Sequence, residues 1–279
     1  MVLGRADEML DTLSNLPVMP PLADELVAMA ISSESDFERV LGVVEQDPVL
    51  AAIVLRMVNS AAFALSSEVT ELSRAVVLLG GAHVRSLALA AAMSALGAGP
   101  DAASHFEHSF NTACTARVIA LAGRAAWEET AFAAGILHDI GELVVVALGY
   151  RRADQDMRAA ARLAVEREWL GTDHTELGAA LARRWSIPEV LCQPIEAHHT
   201  VIPHMGLPTT ATGEALTAVV AAAEAVLDEL DGTAHGDGRA AVDALLALDL
   251  VDPEGIIVRC HEAREAHLTA MGLVGAGGS

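Results

Sequence analysis

The step His138–Asp139 constrains this chain more than any other feature. It stands in Ala134-Gly-Ile-Leu-His138-Asp139-Ile-Gly-Glu142-Leu143, an apolar and helix-like run. Burying two such polar side chains is costly unless they are hydrogen-bonded, ion-paired or bound to a metal. Other histidines lie around the step at intervals: His108, His174, His198 and His199. Scattered histidines plus one His-Asp step are how a helical protein assembles a metal site suited to phosphate chemistry. Adjacent residues on a helix point about 100° apart. His138 and Asp139 can therefore serve one metal from its edge, or two neighbouring metals.

The rest of the chain favours helices. Of its 279 residues 53% are hydrophobic but only 3% are aromatic, so the core must come from Ala, Leu and Val. Ala and Leu are strong helix formers, and Ala is depleted in strands. A formal charge of -21 repels phosphate backbones and anionic lipid, which argues against a nucleic-acid or membrane partner. So few aromatics also leave no base-stacking platform. Cys114, Cys192 and Cys260 are widely spaced and odd in number, which reads as reduced, buried thiols in a cytoplasmic protein. Residues 1–8 carry no signal pattern. The most apolar stretches are interrupted by His83, Arg85, His138, Asp139 and Glu142, so none is an unbroken membrane span.

Along the chain, Asn15 to Pro21 is a stiff, extended entry, followed by a helix from about residue 22 to 30. Ser35-x-x-Glu38 signals a capping box for a helix ending near Gln46. Asp47–Pro48 supplies an N-cap with Pro at the first helical position. Leu50, Ile53, Val54, Met57 and Val58 then form one apolar helical stripe. Helices are expected over 72–79 and 82–96, and Asn59–Ser60 reads as a helix-end cap. The breaker cluster Gly97 to Asp101 marks a boundary between residues 1–98 and 99–271, with 272–279 a frayed tail. Beyond it come a long helix from 104 to 125, two helices around the His-Asp step, and a helix opened by Asp173-x-x-Glu176. Further helices open at Pro188, ahead of Leu216, and at Asp252–Pro253.

Two blocks of residues resemble a known family. The first is Leu16-Pro-Val-Met-Pro-Pro21, Gln46-Asp-Pro48, Leu55-Arg-Met-Val-Asn59-Ser60-Ala-Ala-Phe63 and Ala75-Val-Val-Leu-Leu-Gly80. The second is His108, Gly135 to Glu142, Asp173-His174-x-Glu176-Leu-Gly178, Trp185-x-Ile-Pro188 and Ala197-His198-His199. Together they are similar to the HDOD domain, an HD-related output domain of bacterial signalling proteins, over roughly residues 12 to 230. The resemblance implies an all-α protein, with an N-terminal helical bundle packed on a bundle like that of HD and HD-GYP phosphohydrolases. It implies a bacterial, cytoplasmic, regulatory role in a family where many members lack a complete metal site.

This chain keeps most of the ligand pattern the resemblance implies. His108 matches its first His, His138 and Asp139 its central pair, and His174 an intermediate His. His198 and His199 match the paired His of HD-GYP enzymes. Glu224 stands where the closing Asp is usual, one methylene longer. Imidazole plus carboxylate suits Mn, Fe or Zn. Two departures weaken turnover. Glu142 replaces a Lys, putting an anion where a cation would face phosphate, and the Gly-Tyr-Pro segment is missing after His199. The leading expectation is a regulatory module acting through a signalling protein partner or a second copy of itself, able to hold metal and poorly equipped for turnover. No catalytic residue is assigned, although Asp139 would carry the chemistry of an active site. A metal-dependent phosphohydrolase is the rival, and a small-ligand sensor the third reading. His83, His204, His261 and His267 read as surface or packing residues, and the pairs Arg151–Arg152 and Arg183–Arg184 as solvated faces or local ion pairs.

Overall fold

Ala-rich apolar runs separated by Gly, Pro and Asp breakers build helices, and no strand occurs among the described residues. The structure is a computed structural model. It describes residues 5–13, 37–46, 51, 54, 55, 58, 59, 69–81, 84, 102–149, 159–199, 204–232 and 239–271. The expected helix over 22–30, the Asp47–Pro48 cap, most of the helix over 82–96, the boundary at 97–101 and the tail lie outside them. So do Ser60, His83 and Arg151–Arg152.

The N-terminal part contributes α1 (Arg5–Thr12), α2 (Phe37–Gln46) and α3 (Leu72–Leu79). Val54 and Val58 of the expected apolar stripe are fully buried. Asn59 does act at a helix end. Its amide donates to the Leu55 carbonyl at 2.9 Å and the Val69 carbonyl at 2.8 Å, while its Oδ1 accepts the Val69 N–H at 2.7 Å.

The second half contains α4 (Ala102–Ala122), α5 (Glu128–Leu137), α6 (Gly141–Ala147), α7 (Ala159–Leu170), α8 (His174–Arg184) and α9 (Glu189–Ala197). It continues with α10 (Gly213–Leu230), α11 (Ala240–Ala247) and α12 (Pro253–Met271). Helix α4 packs against α5, α10 and α12, and α8 packs against α6 and α9. One hydrophobic core runs from Val40 through Phe110, Ile119, Phe132 and Val219 to Cys260. Phe110 meets Phe132 edge-on at 6.0 Å, locking α4 to α5. Helix α1 is held to α8 by Arg184, which bonds Asp11 Oδ1 at 2.7 Å and the Asp7 carbonyl at 3.0 Å.

The run Glu128–Ala147 is long and apolar enough to cross a membrane by length and composition, but 83% of its most apolar window is buried in the fold. It is also not one regular helix. From Ile140 to Leu143 the backbone bonds run three residues back: Ile140 to Leu137, Glu142 to Asp139 and Leu143 to Ile140. This tightened turn separates α5 from α6 and holds His138–Asp139.

Glycines on either side of that turn let other backbones come close. A Cβ on Gly135 would stand 2.7 Å from the Ala113 nitrogen in α4. A Cβ on Gly141 would collide with the His174 carbonyl and meet the Gly178 nitrogen at 2.8 Å in α8. The start of α8 is fixed by Asp173, whose Oδ1 accepts the N–H groups of Thr175 and Glu176 and the Thr175 hydroxyl. The reciprocal half of a capping box is absent. Glu176 instead accepts the Thr172 hydroxyl at 2.6 Å.

Gly141→Ala should lower unfolding free energy by about 1–3 kcal/mol or more in urea titrations, because backbone cannot yield as a flexible side chain does. Gly42→Ala in α2, where a Cβ meets nothing within 4 Å, should be neutral or stabilising by up to about 1 kcal/mol. For Asp173, burial pushes the carboxyl up, but its hydrogen bonds to Thr175 and Glu176 and the Arg167 charge outweigh this and leave its pKa below 3.8. A depressed folded pKa gives stability that is complete above the ordinary carboxylate range and lost as pH falls through the folded value. Asp173→Asn, which can still cap, should therefore lose less stability than the parent between about pH 6 and pH 3. Equal losses would assign the acid limb to other groups.

Candidate metal centre

Three helix ends and two helix faces converge on the His-Asp turn. His138, at the end of α5, is fully buried, and its Nδ1–H donates to the Gly135 carbonyl at 2.7 Å. His198, at the end of α9, donates its Nδ1–H to the carbonyls of Pro194 and Ile195, both at 3.1 Å. His174, first residue of α8, has Nδ1 2.6 Å from Glu166 Oε2, which also accepts the His174 backbone N–H at 2.9 Å. A carbonyl only accepts, so the bonded nitrogens of His138 and His198 carry the proton. Their Nε2 lone pairs then face inward, and neither has a hydrogen-bond partner among the described residues. Burial is the main force keeping both rings neutral: it lowers the pKa of His138 and takes that of His198 well below the ordinary value.

The rings sit close together. Centroids are 4.9 Å apart for His138 and His198, 5.3 Å for His108 and His138, 5.2 Å for His174 and His199, and 4.0 Å for His198 and His199. The two carboxylates lie among them. Asp139 is fully buried, with Oδ1 3.5 Å from His174 Nε2 and Oδ2 4.0 Å from His105 Nδ1. Glu224, on α10, has Oε1 3.7 Å from His138 Nε2 and 4.0 Å from His108 Nε2, and Oε2 3.6 Å from His199 Nδ1. His108 and Glu224 form the more open edge, with side chains 32% and 18% exposed.

Charge divides the cluster. Burial raises the Asp139 carboxyl, but His174, Arg162 and His138 outweigh it and hold its pKa well below the usual range. Burial and the Asp139 charge push Glu224 well above its usual value, favouring its protonated form. Burial also lowers His174, yet the Glu166 hydrogen bond and the Asp139 charge prevail and raise it. His199 is taken down to about 3 by burial, helped by His174 and Arg162.

All seven ligand candidates from the sequence are brought together here. Four subsets place ligand atoms within 4.8 Å of one another: His138–Asp139–His198, His108–His138–Glu224, His174–His198–His199 and Asp139–Glu142–His174. The inward lone pairs of His138 and His198 are what a divalent ion requires, and their carbonyl-bound Nδ1–H groups fix the rings as outer partners do around metals. The His174–Glu166 pair repeats that pattern with a carboxylate. The residues fit an N/O-ligated metal ion.

One expectation needs correction, and three residues went unseen. Glu142 does not stand open toward a substrate; it is 1% exposed, with Arg162 Nη1 3.6 Å from its Oε1. Arg162 also donates from Nη2 to His199 Nε2 at 2.9 Å. Arg162 and Glu166 come from α7, a helix the sequence reading lacks, and His105 is one turn before His108. The i, i+4 spacing of Arg162 and Glu166 was the available signal, but on an isolated helix such a pair usually lies on a solvated face. Of the residues set aside, His204 has a side chain 75% exposed and His261 is exposed. Arg183 binds Glu189 and Glu196, and Arg184 binds Asp11, as local ion pairs. All three cysteines are buried, and burial pushes the Cys114 and Cys260 thiols up to about 12 and Cys192 to about 11.

Comparison with known proteins places this arrangement. A solved Shewanella amazonensis SB2B structure, described as a "putative phosphohydrolase", is 28% identical with a TM-score of 0.71, and the match covers 97% of each chain. An HDOD domain protein of unknown function from Geobacter sulfurreducens shares the fold at 23% identity and a TM-score of 0.71, over 95% of this chain and 97% of that one. An uncharacterized Treponema pallidum protein is 25% identical over 207 residues, 70% of this chain, which spans only 39% of that relative's length. The sequence pattern of the HDOD domain matches residues 16–201, taking in the His-Asp turn and the His198–His199 pair. With that match over most of its length, and with the helical architecture of the solved HDOD protein, this chain belongs to the HDOD domain family.

Proposed function

We propose that this chain is a regulatory module of a bacterial, cytoplasmic signalling system. It acts by binding a signalling protein, and it holds one divalent transition-metal ion without turning over a phosphoester. The observation that carries the metal is the pair of buried, inward-facing Nε2 atoms of His138 and His198 beside Asp139. His138, Asp139 and His198 would hold the ion, with His108 and Glu224 at the open edge. Bound there, a divalent cation supplies Lewis acidity to an oxygen ligand. In a module it also joins helices: the ligands come from α4, the α5–α6 turn, the end of α9 and α10, so binding adds to folding stability.

The electrostatics speak against turnover. Asp139 is ionised, and Glu142 and Glu166 are buried beside it, with Arg162 the one Lys or Arg paired into the cluster among the described residues. That cation is already engaged by Glu142 and His199 and so is not turned toward a phosphodiester entering from the His108 edge.

A second reading, a metal-dependent phosphohydrolase, draws support from the 28% identity to the Shewanella protein over nearly the full chain. Metal analysis and activity separate the two. Protein purified without chelator should carry about one Mn, Fe or Zn per chain, and chelation should lower its Tm. Loading at about 100-fold excess over Kd should restore stability worth about 2.7 kcal/mol. Asp139→Ala should lose the ion. Hydrolysis of bis(p-nitrophenyl) phosphate should stay at background in all forms. Turnover that depends on metal and vanishes in Asp139→Ala would replace the regulatory reading with the hydrolytic one. Absence of metal, with a Tm indifferent to chelator, would make the His-Asp turn a purely structural polar cluster.

A further inference from the structure

The cluster has two halves, and a side chain from α7 already serves one of them. The first half contains His138, Asp139 and His198, with His108 and Glu224 at its edge. The second is built on His174, which groups with His198 and His199 and also with Asp139 and Glu142. By residue type alone each half could take an ion. The guanidinium of Arg162 lies against the second. It donates to His199 Nε2 at 2.9 Å and stands 3.6 Å from Glu142 Oε1, and its residue is 8% exposed.

We infer that Arg162 is a resident cation in the second half of the cluster and limits this centre to one metal ion. An imidazole nitrogen has one lone pair in the ring plane. The lone pair of His199 Nε2 takes an Arg N–H at 2.9 Å, with His174 Nε2 3.2 Å from the same nitrogen, and a metal there would have to displace both contacts. Glu142, the carboxylate on the same side, is already neutralised by the same guanidinium. An Arg side chain cannot shed its proton to make room, so a dication in the second half would face a fixed positive charge in a buried setting. Asp139, Glu142, Glu166 and Glu224 surround Arg162 and raise its pKa against the opposing effect of burial. The first half carries no such obstacle: His138 Nε2 and His198 Nε2 are without hydrogen-bond partners among the described residues. A single ion is therefore the state in which every charge of the cluster has a partner, with Arg162 doing on one side what metal does on the other.

The inference rests on the metal-centre reading, and Co(II) titration of the full chain tests both separately. Stoichiometry is read by elemental analysis, and ligand type by the visible bands of bound Co(II). The parent should bind one Co(II) per chain. Arg162→Met, which keeps an unbranched stem and removes the donor and the charge, should bind two, with a second set of bands. Arg162→Lys, which keeps the charge, should stay at one. His199→Ala in the parent background should retain its single ion with less than about a tenfold change in affinity, the reach of an outer-sphere residue, while His138→Ala should lose it. The His199 and His138 variants decide the matter even if Arg162→Met does not fold. Two ions in the parent, one ion in a folded Arg162→Met, or loss of the ion in His199→Ala would each overturn the role of Arg162 and leave the metal centre standing. No Co(II) in the parent or any variant would overturn the metal centre itself, and the inference with it.

Discussion

The backbone approach at the His-Asp turn is what the rest of this structure depends on. Gly135 brings α5 against α4, and Gly141 brings α6 against the first turn of α8. Between them, bonds three residues back tighten the chain at 140–143. This geometry puts His138 within ring contact of His108 on one side and Asp139 within 3.5 Å of His174 on the other. Side chains larger than hydrogen at either glycine would push the helices apart and open the cluster. The function of the site is thus decided partly by two positions that carry no chemistry.

The second constraint is electrostatic. A buried carboxylate such as Asp139 needs compensating charge around it. Compensation comes from His174, Arg162, His138 and His105. His174 in turn leans on Glu166, and Arg162 on Glu142, so the polar groups form a chain of mutual support that spans α4 to α10. Such a network rigidifies the centre when complete and is costly when one member is removed. Helices α4, α5, α8, α9 and α10 share the main hydrophobic core, while α6 and α7 pack with Leu10, Leu177 and Leu181 in a second cluster.

How much of this was legible follows from where each residue sits. His138, Asp139 and His198 are polar groups inside apolar stretches, and that mismatch is visible without coordinates. Asp173 could be read as a cap from its spacing, and it does cap α8. What the spacing did not reveal was that Glu176 would turn to Thr172 rather than back to Asp173. The resemblance puts Glu142 where a cation would face phosphate, but its environment depends on α7, whose inward partners no local pattern shows. The ligand set was readable as residue types; the counter-charges that decide how many ions it takes were not.

The reason lies in α7 itself. Its polar residues Arg162 and Glu166 point inward, 8% and 2% exposed, while Trp169 lies 51% exposed on the outside. Amphipathic reasoning assigns polar faces to water and large apolar residues to the core; α7 departs from it at Arg162, Glu166 and Trp169, while Arg167 and Glu168 are exposed and Leu170 is buried. The departure is physically consistent only because the neighbouring elements bring His174, His199, Asp139 and Glu142 to meet those polar groups. Buried polar positions on such a helix are therefore a marker of a buried polar centre, visible only once the partners are known. In this fold the glycine crossings bring the ligands together, and Arg162 and Glu166 of α7 set the charge they work in.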